Sequence, residues 1–370
     1  MFCNIYFQFN EGIMINKIVL TAAEKASYDA FWKDKQALIK EAEASGDKEA
    51  MWHARRMLGL GGSEIGSIMG INEYATPYSF WEVKTGRKPA FQGNNATYWG
   101  SVLEQVVADE YCKRTGNKVR KESKHYNASK FGAPFLVGNI DRLILANDTT
   151  NTKILECKTA RDDSGKDAEG NYIWGRGNRY GADGSIIALD DTVPSSYYLQ
   201  VQHYMLLLDK TEADLAVFFL NSRTFSIFTI KRDDDICNAI LQAGKGFMFN
   251  NIIGDQAPEM TAADYDNLGL AVSGEAVTAT NDILTKVKDL RELKAEIKAL
   301  EAKEKALEDE LKEFTGEHSQ LADMDGKLIA TYKAITRTTL NTKALKEQEP
   351  DVYARYAEPK VCARSFTLKK

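Results

Sequence analysis

The feature that most constrains the fold is an apolar strand with charged side chains at positions 153–158. It reads Lys-Ile-Leu-Glu-Cys-Lys. Side chains alternate between the two faces of a strand, so Glu156 and Lys158 point to one face, whereas Leu155 and Cys157 point to the other. Leu155 and Cys157 suit a core-facing row. The sequence therefore predicts a sheet whose opposite face presents a carboxylate and an amine side by side.

A second carboxylate is predicted to lie close to this pair. Apolar triplets at 135–137 and 143–145 predict strands on either side of Asp141. A strand that precedes 153–158 and pairs with it brings Asp141 within reach of Glu156 and Lys158.

Two carboxylates and a lysine are the minimum set for metal-assisted hydrolysis of a phosphodiester. Magnesium and manganese prefer oxygen ligands and keep waters for the substrate. We therefore interpret Asp141 and Glu156 as metal ligands, and the main-chain carbonyl of Cys157 as a further one. Lys158 would orient a water and stabilise charge on the phosphate. An exposed hairpin held by a salt bridge is the alternative interpretation of the same residues.

Composition sets broad limits on fold and function. A chain of 370 residues can hold one large α/β domain with a smaller appendage, or two modest domains. Its 44% of hydrophobic residues suffice for a folded core, and its 27% of charged residues are typical of a folded protein's surface. The formal charge of -5 argues against a protein that coats nucleic acid through bulk charge. It does not exclude a DNA enzyme, because a site that binds divalent metal is itself acidic.

The five cysteines are far apart and form no C-x-x-C pair, so we predict neither a zinc site nor a disulfide framework. A reducing cytoplasm is the simplest location. Residues 1–9 are apolar, but they lack a basic n-region and a cleavage site and are too short to span a membrane. We therefore expect no membrane association, and Met14 is an alternative start.

Local patterns predict several further elements. A capping box from Thr21 to Glu24 begins the first helix. A helix from Trp99 ends before Gly116, with Val102, Val106 and residues 108–111 in its apolar stripe. Later elements are a helix over 196–208, a hairpin formed by 216–220 and 225–231, and a helix over 233–250.

Two helical residues are candidates to assist the carboxylates. Glu104 lies one turn past Gly100, and the small glycine leaves room for backbone or metal near that carboxylate. Gln200 and Tyr204 share a helical face at i and i+4, where an amide beside acidic ligands can steer a water or a phosphate. The alternatives are an ordinary surface glutamate and a half-buried amphipathic helix.

A glycine-rich turn is a candidate phosphate site. Gly61-Gly62-Ser63 at a helix start offers backbone N–H groups and a hydroxyl, and Arg56 could add a bidentate clamp. The spacing fits neither G-x-G-x-x-G nor a P-loop. Simple N-capping by Ser63 is the alternative.

The long polar segment 161–195 combines basic and aromatic residues, including Arg176, Trp174 and Tyr180. Such a mixture can grip DNA through phosphate contacts and stacking. A flexible solvated loop is the alternative.

The C-terminal region has a different character. Leucine, isoleucine and phenylalanine recur at alternating spacings of three and four from Leu290 to Phe314, interrupted only by Glu304, on a helix rich in lysine and glutamate. This is a heptad seam. A coiled coil and a helical arm that docks elsewhere are both open interpretations.

These residues together resemble the YqaJ-like viral recombinases, a family that resembles lambda exonuclease and belongs to the PD-(D/E)xK nuclease superfamily. The resemblance covers roughly residues 50–250. The motifs that carry it are Arg56 with Gly61-Gly62-Ser63, Trp81-x-x-Lys84-Thr85-Gly86, Trp99-Gly100-x-x-x-Glu104, Asp141, Glu156-Cys157-Lys158 and Gln200-x-Gln202-His203-Tyr204. The family's usual Pro-Asp-Gly is replaced by Ile140-Asp141-Arg142, and the segment 161–195 is longer than in lambda exonuclease.

The resemblance implies an α/β nuclease core, a mixed β-sheet flanked by helices, over 50–260. A helical extension would precede it over 1–49, and the heptad helix with a small α+β tail would follow over 275–370. It further implies magnesium-dependent digestion of double-stranded DNA from 5′ ends, two ions per site, a single-strand annealing protein as partner and a homotrimeric ring.

Residue by residue, the resemblance implies that Asp141 and Glu156 bind metal while Lys158 assists the attacking water. Glu104 would support the metals, directly or through water, and Gln200 would lie beside the scissile phosphate. Arg56 and Ser63 would form the 5′-phosphate pocket.

Two other functions remain open at this point. One is a RecB-type nuclease of other polarity, or an endonuclease. The other is a non-catalytic DNA-binding or assembly protein in which the heptad helix is the main functional part.

Overall fold

The structure is a computed structural model that describes residues 14–46, 54, 56–145, 152–161, 174, 179–180, 186–188, 192–267, 276–358, 364 and 366–368. The chain divides into two compact units, Met1–Asn267 and Leu268–Lys370. Most of the polar segment 161–195, including Arg176, lies outside the described residues. Within the described ranges, none of the helices has the length and apolar character needed to span a lipid bilayer.

The first unit contains seven α-helices and nine β-strands among its described residues. The helices are α1 (Ala22–Ser45), α2 (Gly62–Ile68), α3 (Pro77–Lys84), α4 (Asn95–Thr115), α5 (Ser195–Leu208), α6 (Asp234–Gly246) and α7 (Ala262–Asp266). The strands are β1 (Lys118–Lys121), β2 (Tyr126–Ala128), β3 (Ala133–Gly138), β4 (Arg142–Leu145), β5 (Lys153–Ala160), β6 (Arg179–Tyr180), β7 (Ile186–Ala188), β8 (Glu212–Phe219) and β9 (Phe225–Lys231). A 3₁₀ turn spans Ser129–Phe131, and a π-helical stretch, Phe247–Ile253, follows α6.

The central sheet has five strands in the order β1-β4-β5-β8-β9. All neighbours pair antiparallel except β5 and β8, which run parallel, with Glu156 opposite Leu215. Helices cover both faces, and this mixed sheet flanked by helices confirms the predicted fold class. Because β5 is a central strand, the alternative of an exposed hairpin is wrong.

The buried side chains on the two faces of β5 belong to different clusters. Leu155 and Cys157 pack with Tyr111 of α4, which confirms that they form a core-facing row. Ile154, on the other face, packs in the larger cluster with residues of α5 such as Met205. Glu156 therefore lies between the sheet and α5 rather than in solvent, and only 2% of it is exposed.

Helix ends follow the capping residues in the sequence. The Thr21 hydroxyl accepts a hydrogen bond from the Glu24 N–H, which confirms the predicted start of α1. Gly116 ends α4 in the left-handed conformation, at φ 71°, as predicted. The predicted apolar stripe of α4 is wrong in part, because Val102 and Val106 are 46% and 55% exposed. Ala108 and Tyr111 are buried as predicted, together with Val107.

The second unit contains a long helix and a small α+β portion among its described residues. These elements are α8 (Asn281–Thr315), β10 (Gln320–Ala322), β11 (Leu328–Thr331), α9 (Thr342–Gln348) and α10 (Pro350–Tyr356). The two strands form an antiparallel hairpin. The apolar residues of this unit are largely exposed, and among its described residues Thr315 alone is buried.

Candidate active site

Asp141, Glu156 and Lys158 come together where β4 begins beside β5. Asp141 directly precedes β4, and its Oδ2 accepts a hydrogen bond of 2.8 Å from the backbone N–H of Cys157. This bond holds the carboxylate between Glu156 and Lys158 along the strand. The Nζ of Lys158 lies 2.9 Å from Oε1 of Glu156, so the alternation of β5 places both charges on one face.

Helix α5 covers this group with polar side chains. The Nε2 of Gln200 donates a hydrogen bond of 2.8 Å to Oε1 of Glu156 and another of 3.0 Å to the Tyr204 hydroxyl. The Lys158 ammonium also lies 5.6 Å from the centre of the Tyr197 ring. Gln200 and Tyr204 share one face of α5, as their spacing predicted. The contact of Tyr197 was not predicted, because nothing in its local sequence distinguishes it from a core aromatic.

Burial dominates the electrostatics of Glu156. Loss of solvation, and secondly the Asp141 carboxylate, raise the pKa of Glu156 to about 8, although Lys158 opposes the shift. Burial also raises the pKa of Asp141, again against the attraction of Lys158. For Lys158, burial lowers the pKa, but the attraction of Glu156 and the neighbouring acidic groups outweighs it, so the net pKa is raised and the ammonium stays charged.

The residues present fit a divalent metal ion. Among the described residues, Oε2 of Glu156 is buried and has no hydrogen-bond partner. An unpartnered buried carboxylate oxygen is costly unless a cation or a proton meets it. No group of three or more His, Cys, Asp or Glu side chains with metal-binding geometry occurs in the part of the chain that the structure describes. Magnesium needs only one or two carboxylates, because it retains several waters.

Glu104 is engaged by a buried arginine. The Nη1 of Arg142 donates hydrogen bonds of 2.6 Å to Oε1 of Glu104 and 2.8 Å to the carbonyl of Asp141, and only 2% of Arg142 is exposed. The structure thus brings Glu104 to the site through Arg142. Space at Gly100 is not tight, because an added Cβ would meet nothing closer than Thr159 Oγ1 at 3.8 Å.

The glycine-rich turn borders a cavity of about 690 Å³. Arg56 and Ser63, the two residues predicted to bind phosphate, both line it, and so does Tyr204. Tyr204 therefore connects the cavity with the carboxylates. Its hydroxyl accepts a hydrogen bond from Gln200, and the same amide donates to Glu156. Capping by Ser63, the alternative interpretation, is wrong because Gly61 is the N-cap of α2.

Comparisons with known proteins identify the family of this chain. A model of the YqaJ-like viral recombinase domain matches residues 51–213. The uncharacterized protein YqaJ of Bacillus subtilis (strain 168) is 30% identical over 346 residues, which are 91% of this chain and 98% of the relative. The chain belongs to the YqaJ family. The predicted resemblance is confirmed.

Two solved structures show weaker similarity to this YqaJ-family chain. The alkaline exonuclease LHK-Exo from Laribacter hongkongensis is 15% identical, with a TM-score of 0.37 over 54% of this chain and 90% of that chain. A phage related exonuclease from Haemophilus somnus 129PT is 16% identical, with a TM-score of 0.36 over 55% of this chain and 99% of that chain.

An ion-pair network fixes the turn of the YqaJ-family chain. Glu64 is buried, and its Oε2 lies 2.9 Å from Nζ of Lys84 while its Oε1 lies 3.0 Å from Nη2 of Arg56. The ammonium of Lys84 also donates to the carbonyls of Arg56 and Gly59, at 2.6 and 2.8 Å. Burial raises the pKa of Glu64, but the two cations outweigh it and the net pKa is lowered. Lys84 is thus a buried structural cation, whereas 43% of the Arg56 side chain remains exposed.

Two other predicted residues lie in the core. The Nε2–H of His203 donates to the Val137 carbonyl at 2.9 Å, and burial lowers the histidine pKa to about 4. His203 is therefore a packed neutral histidine. Trp174, which we considered as a DNA-stacking residue, is buried and packs against Phe219 at a centroid distance of 5.2 Å. That interpretation is wrong for Trp174.

Proposed function

We propose that this YqaJ-family chain is a divalent metal-dependent deoxyribonuclease that removes nucleotides from the 5′ ends of double-stranded DNA. The observation that carries the proposal is the buried Glu156 carboxylate, which has one oxygen without a described partner and lies beside Asp141 and Lys158. Such a group tolerates burial best when it meets a cation. A family of viral recombinases, whose substrate is DNA, agrees with this chemistry.

Each side chain of the site has a separate role at the phosphate. A magnesium or manganese ion held by Asp141, Glu156 and the Cys157 carbonyl would polarise the phosphate and lower the pKa of a bound water. Lys158 stays positively charged and stabilises negative charge on the phosphate oxygens. Gln200 orients the Glu156 carboxylate, because its amide donates to Oε1 and leaves Oε2 open.

Glu104 has a different proposed role from the metal ligand that the sequence suggests. Its Oε1 is paired with Arg142, which also holds the Asp141 carbonyl. Glu104 therefore positions Asp141 through Arg142. Because the Arg142 guanidinium neutralises the Glu104 carboxylate and weakens it as a metal ligand, we propose one resident ion in the free protein rather than the predicted two.

The cavity beside the carboxylates is the proposed site for the 5′-phosphate. Arg56 offers a guanidinium whose position is set by Glu64, and Ser63 adds a hydroxyl on the same wall. A guanidinium recognises phosphate through paired hydrogen bonds. Its placement next to the cleavage residues would select a DNA end rather than an internal position. We further propose that the partner is a single-strand annealing protein in the cytoplasm, as in phage-type recombination.

The test is digestion of linear duplex DNA with magnesium by the purified full chain. We expect nucleotide release, faster from 5′-phosphorylated than from unphosphorylated ends, and no cutting of a closed circle. Lys158→Met should abolish release while DNA binding remains. The matched control is Lys153→Met on the same strand, whose ammonium pairs with Glu212 rather than with the site, and it should retain activity.

Three outcomes would contradict the proposal. No release with either magnesium or manganese would reject the nuclease function and favour a DNA-binding or assembly protein. Cutting of the closed circle would keep the chemistry of Asp141, Glu156 and Lys158 but reject exonuclease action. Equal rates on both kinds of end would reject the proposed 5′-phosphate site.

A further inference from the structure

Helix α8 exposes an apolar row that no described residue of its own unit covers. The helix has 35 residues, and its row includes Leu293 at 53%, Ile297 at 47% and Leu300 at 62% exposure. Ile283 and Leu307 continue the row at 45% and 62% exposure. An apolar row of this length is expected to be buried against another surface.

The row follows a heptad pattern in which two positions are charged. Isoleucine, leucine and glutamate occupy the a positions, and lysine, leucine and phenylalanine occupy the d positions. The a positions are Ile283, Leu290, Ile297, Glu304 and Leu311, and the d positions are Lys286, Leu293, Leu300, Leu307 and Phe314. Lys286 and Glu304 therefore interrupt the seam with opposite charges.

The order of apolar and charged positions in the seam between Ile283 and Leu307 is the same in both directions. Reversal of the helix about residue 295 places every a position on a d position, as antiparallel pairing of two helices requires. Apolar positions then meet apolar positions throughout, for example Leu290 and Leu300. The two exceptions meet each other, because Lys286 falls opposite Glu304.

We propose that α8 pairs antiparallel with α8 of a second copy of this chain, in the register that places Lys286 of each copy opposite Glu304 of the other. The overlap from Ile283 to Leu307 is about 36 Å long at a rise of 1.5 Å per residue. Two symmetric Lys–Glu contacts would fix its direction and register, which is the best-attested use of charged residues in an apolar seam.

Other arrangements of two copies leave these charges unmatched. A parallel pair in register places Lys286 against Lys286 and Glu304 against Glu304. An antiparallel pair shifted by one heptad overlaps over the whole helix, but it sets Lys286 against Leu311 and Glu304 against Leu293. A buried charge without a partner costs more than the extra heptad of contact would gain.

Charges beside the seam do not select among these arrangements. In the proposed register Asp289 lies near Lys303 of the other copy, which is favourable. At the centre of the overlap, Lys294 lies near Lys294 of the other copy and Glu296 lies near Glu296 of the other copy, which is unfavourable. Such exposed pairs contribute little. The existing contact of Lys286 with Asp282, at 2.8 Å on the same helix, is also exposed and competes weakly.

Disulfide cross-linking of the full chain tests direction and register together. We expect a chain with Leu290→Cys and a chain with Leu300→Cys to cross-link to each other when mixed and oxidised. Neither variant should cross-link to itself above the level of the unmodified chain, which controls for the five natural cysteines. Self-cross-linking of each variant would show parallel pairing, and no cross-link in the mixture would reject the proposed register.

Charge exchange gives a second test that does not depend on cysteine chemistry. Glu304→Lys alone should weaken self-association about 100-fold in Kd, because two like-charge contacts replace two attractive ones. Adding Lys286→Glu should restore association. Both residues lie on an exposed helix, so retained helix content by circular dichroism verifies the fold. If the double variant stays as weak as the single one, the Lys286–Glu304 contact is refuted.

Discussion

The raised pKa of Glu156 makes metal binding depend on pH in a direction that can be calculated. A divalent ion binds the carboxylate and not the carboxylic acid, so the ion must displace the proton that burial stabilises. Because burial raises the pKa of Glu156 to about 8, the metal-free protein carries this proton at neutral pH. Affinity for metal should therefore rise with pH, and one proton should leave for each ion bound below pH 8.

The size of the effect follows from the titration curve. The ionised fraction of a group with a pKa of about 8 increases from about 1% at pH 6 to about 50% at pH 8, so Kd should fall about 50-fold over this range. Above pH 8 the fraction gains only about twofold more, and the affinity should level off. An unshifted glutamate would be ionised throughout and would give a flat profile.

Calorimetric titration of the full chain with manganese between pH 6 and 9 measures this profile. Repeating it in buffers of different ionisation heat counts the protons released. Lys158→Met should move the rise to higher pH, because Lys158 is the cation that opposes the shift of Glu156. Glu156→Gln should remove the proton release. A flat affinity from pH 6 to 8, or a rise at lower pH in Lys158→Met, would refute the assignment to Glu156.

Three further substitutions test other contacts of the structure. Glu64→Gln should lower the free energy of unfolding by about 3–5 kcal/mol in urea denaturation, because it removes the buried partner of Lys84, and adding Lys84→Met should recover part of the loss. Arg142→Met should free Glu104 and raise the number of manganese ions bound per chain from one to two, counted by electron paramagnetic resonance; an unchanged count would refute the role of Arg142 in limiting the site to one ion. Gly62→Ala should lower the free energy of unfolding by about 1–3 kcal/mol, because its Cβ would lie 2.6 Å from a ring carbon of Tyr204. The Cβ of Gly246→Ala meets nothing within 4 Å, so this variant should not be destabilised. Equal effects of the two substitutions on thermal stability would contradict this packing.

The strand pattern predicted the central part of the site because its information is local. Alternation along 153–158 is enough to place Glu156 and Lys158 on one face, and the short connection to Asp141 brings in the second carboxylate. The i and i+4 spacing of Gln200 and Tyr204 is equally local. These relations depend on backbone geometry within one element or between neighbouring strands.

Contacts that join distant segments were not predictable in the same way. Arg142 looks like an exposed charge at the start of a strand, yet it is buried, because Glu104, 38 positions earlier, lies on α4 and pairs with it. Trp174 lies in a polar stretch that favours solvent, but its ring fills a space against Phe219. Tertiary packing overrides local polarity in both cases, and one sequence does not reveal which segments meet.

The burial of Glu156 is the origin of both the energetic cost of the site and its chemistry. A carboxylate loses most solvation on a central strand, and this loss raises the pKa of Glu156. Placement at the exposed end of β5 would avoid that penalty, but water would screen the carboxylate there and weaken its attraction for the ion. Lys158 and Gln200 hold one oxygen and leave the other without a described partner. The burial that destabilises the metal-free carboxylate is thus what prepares it to bind a cation.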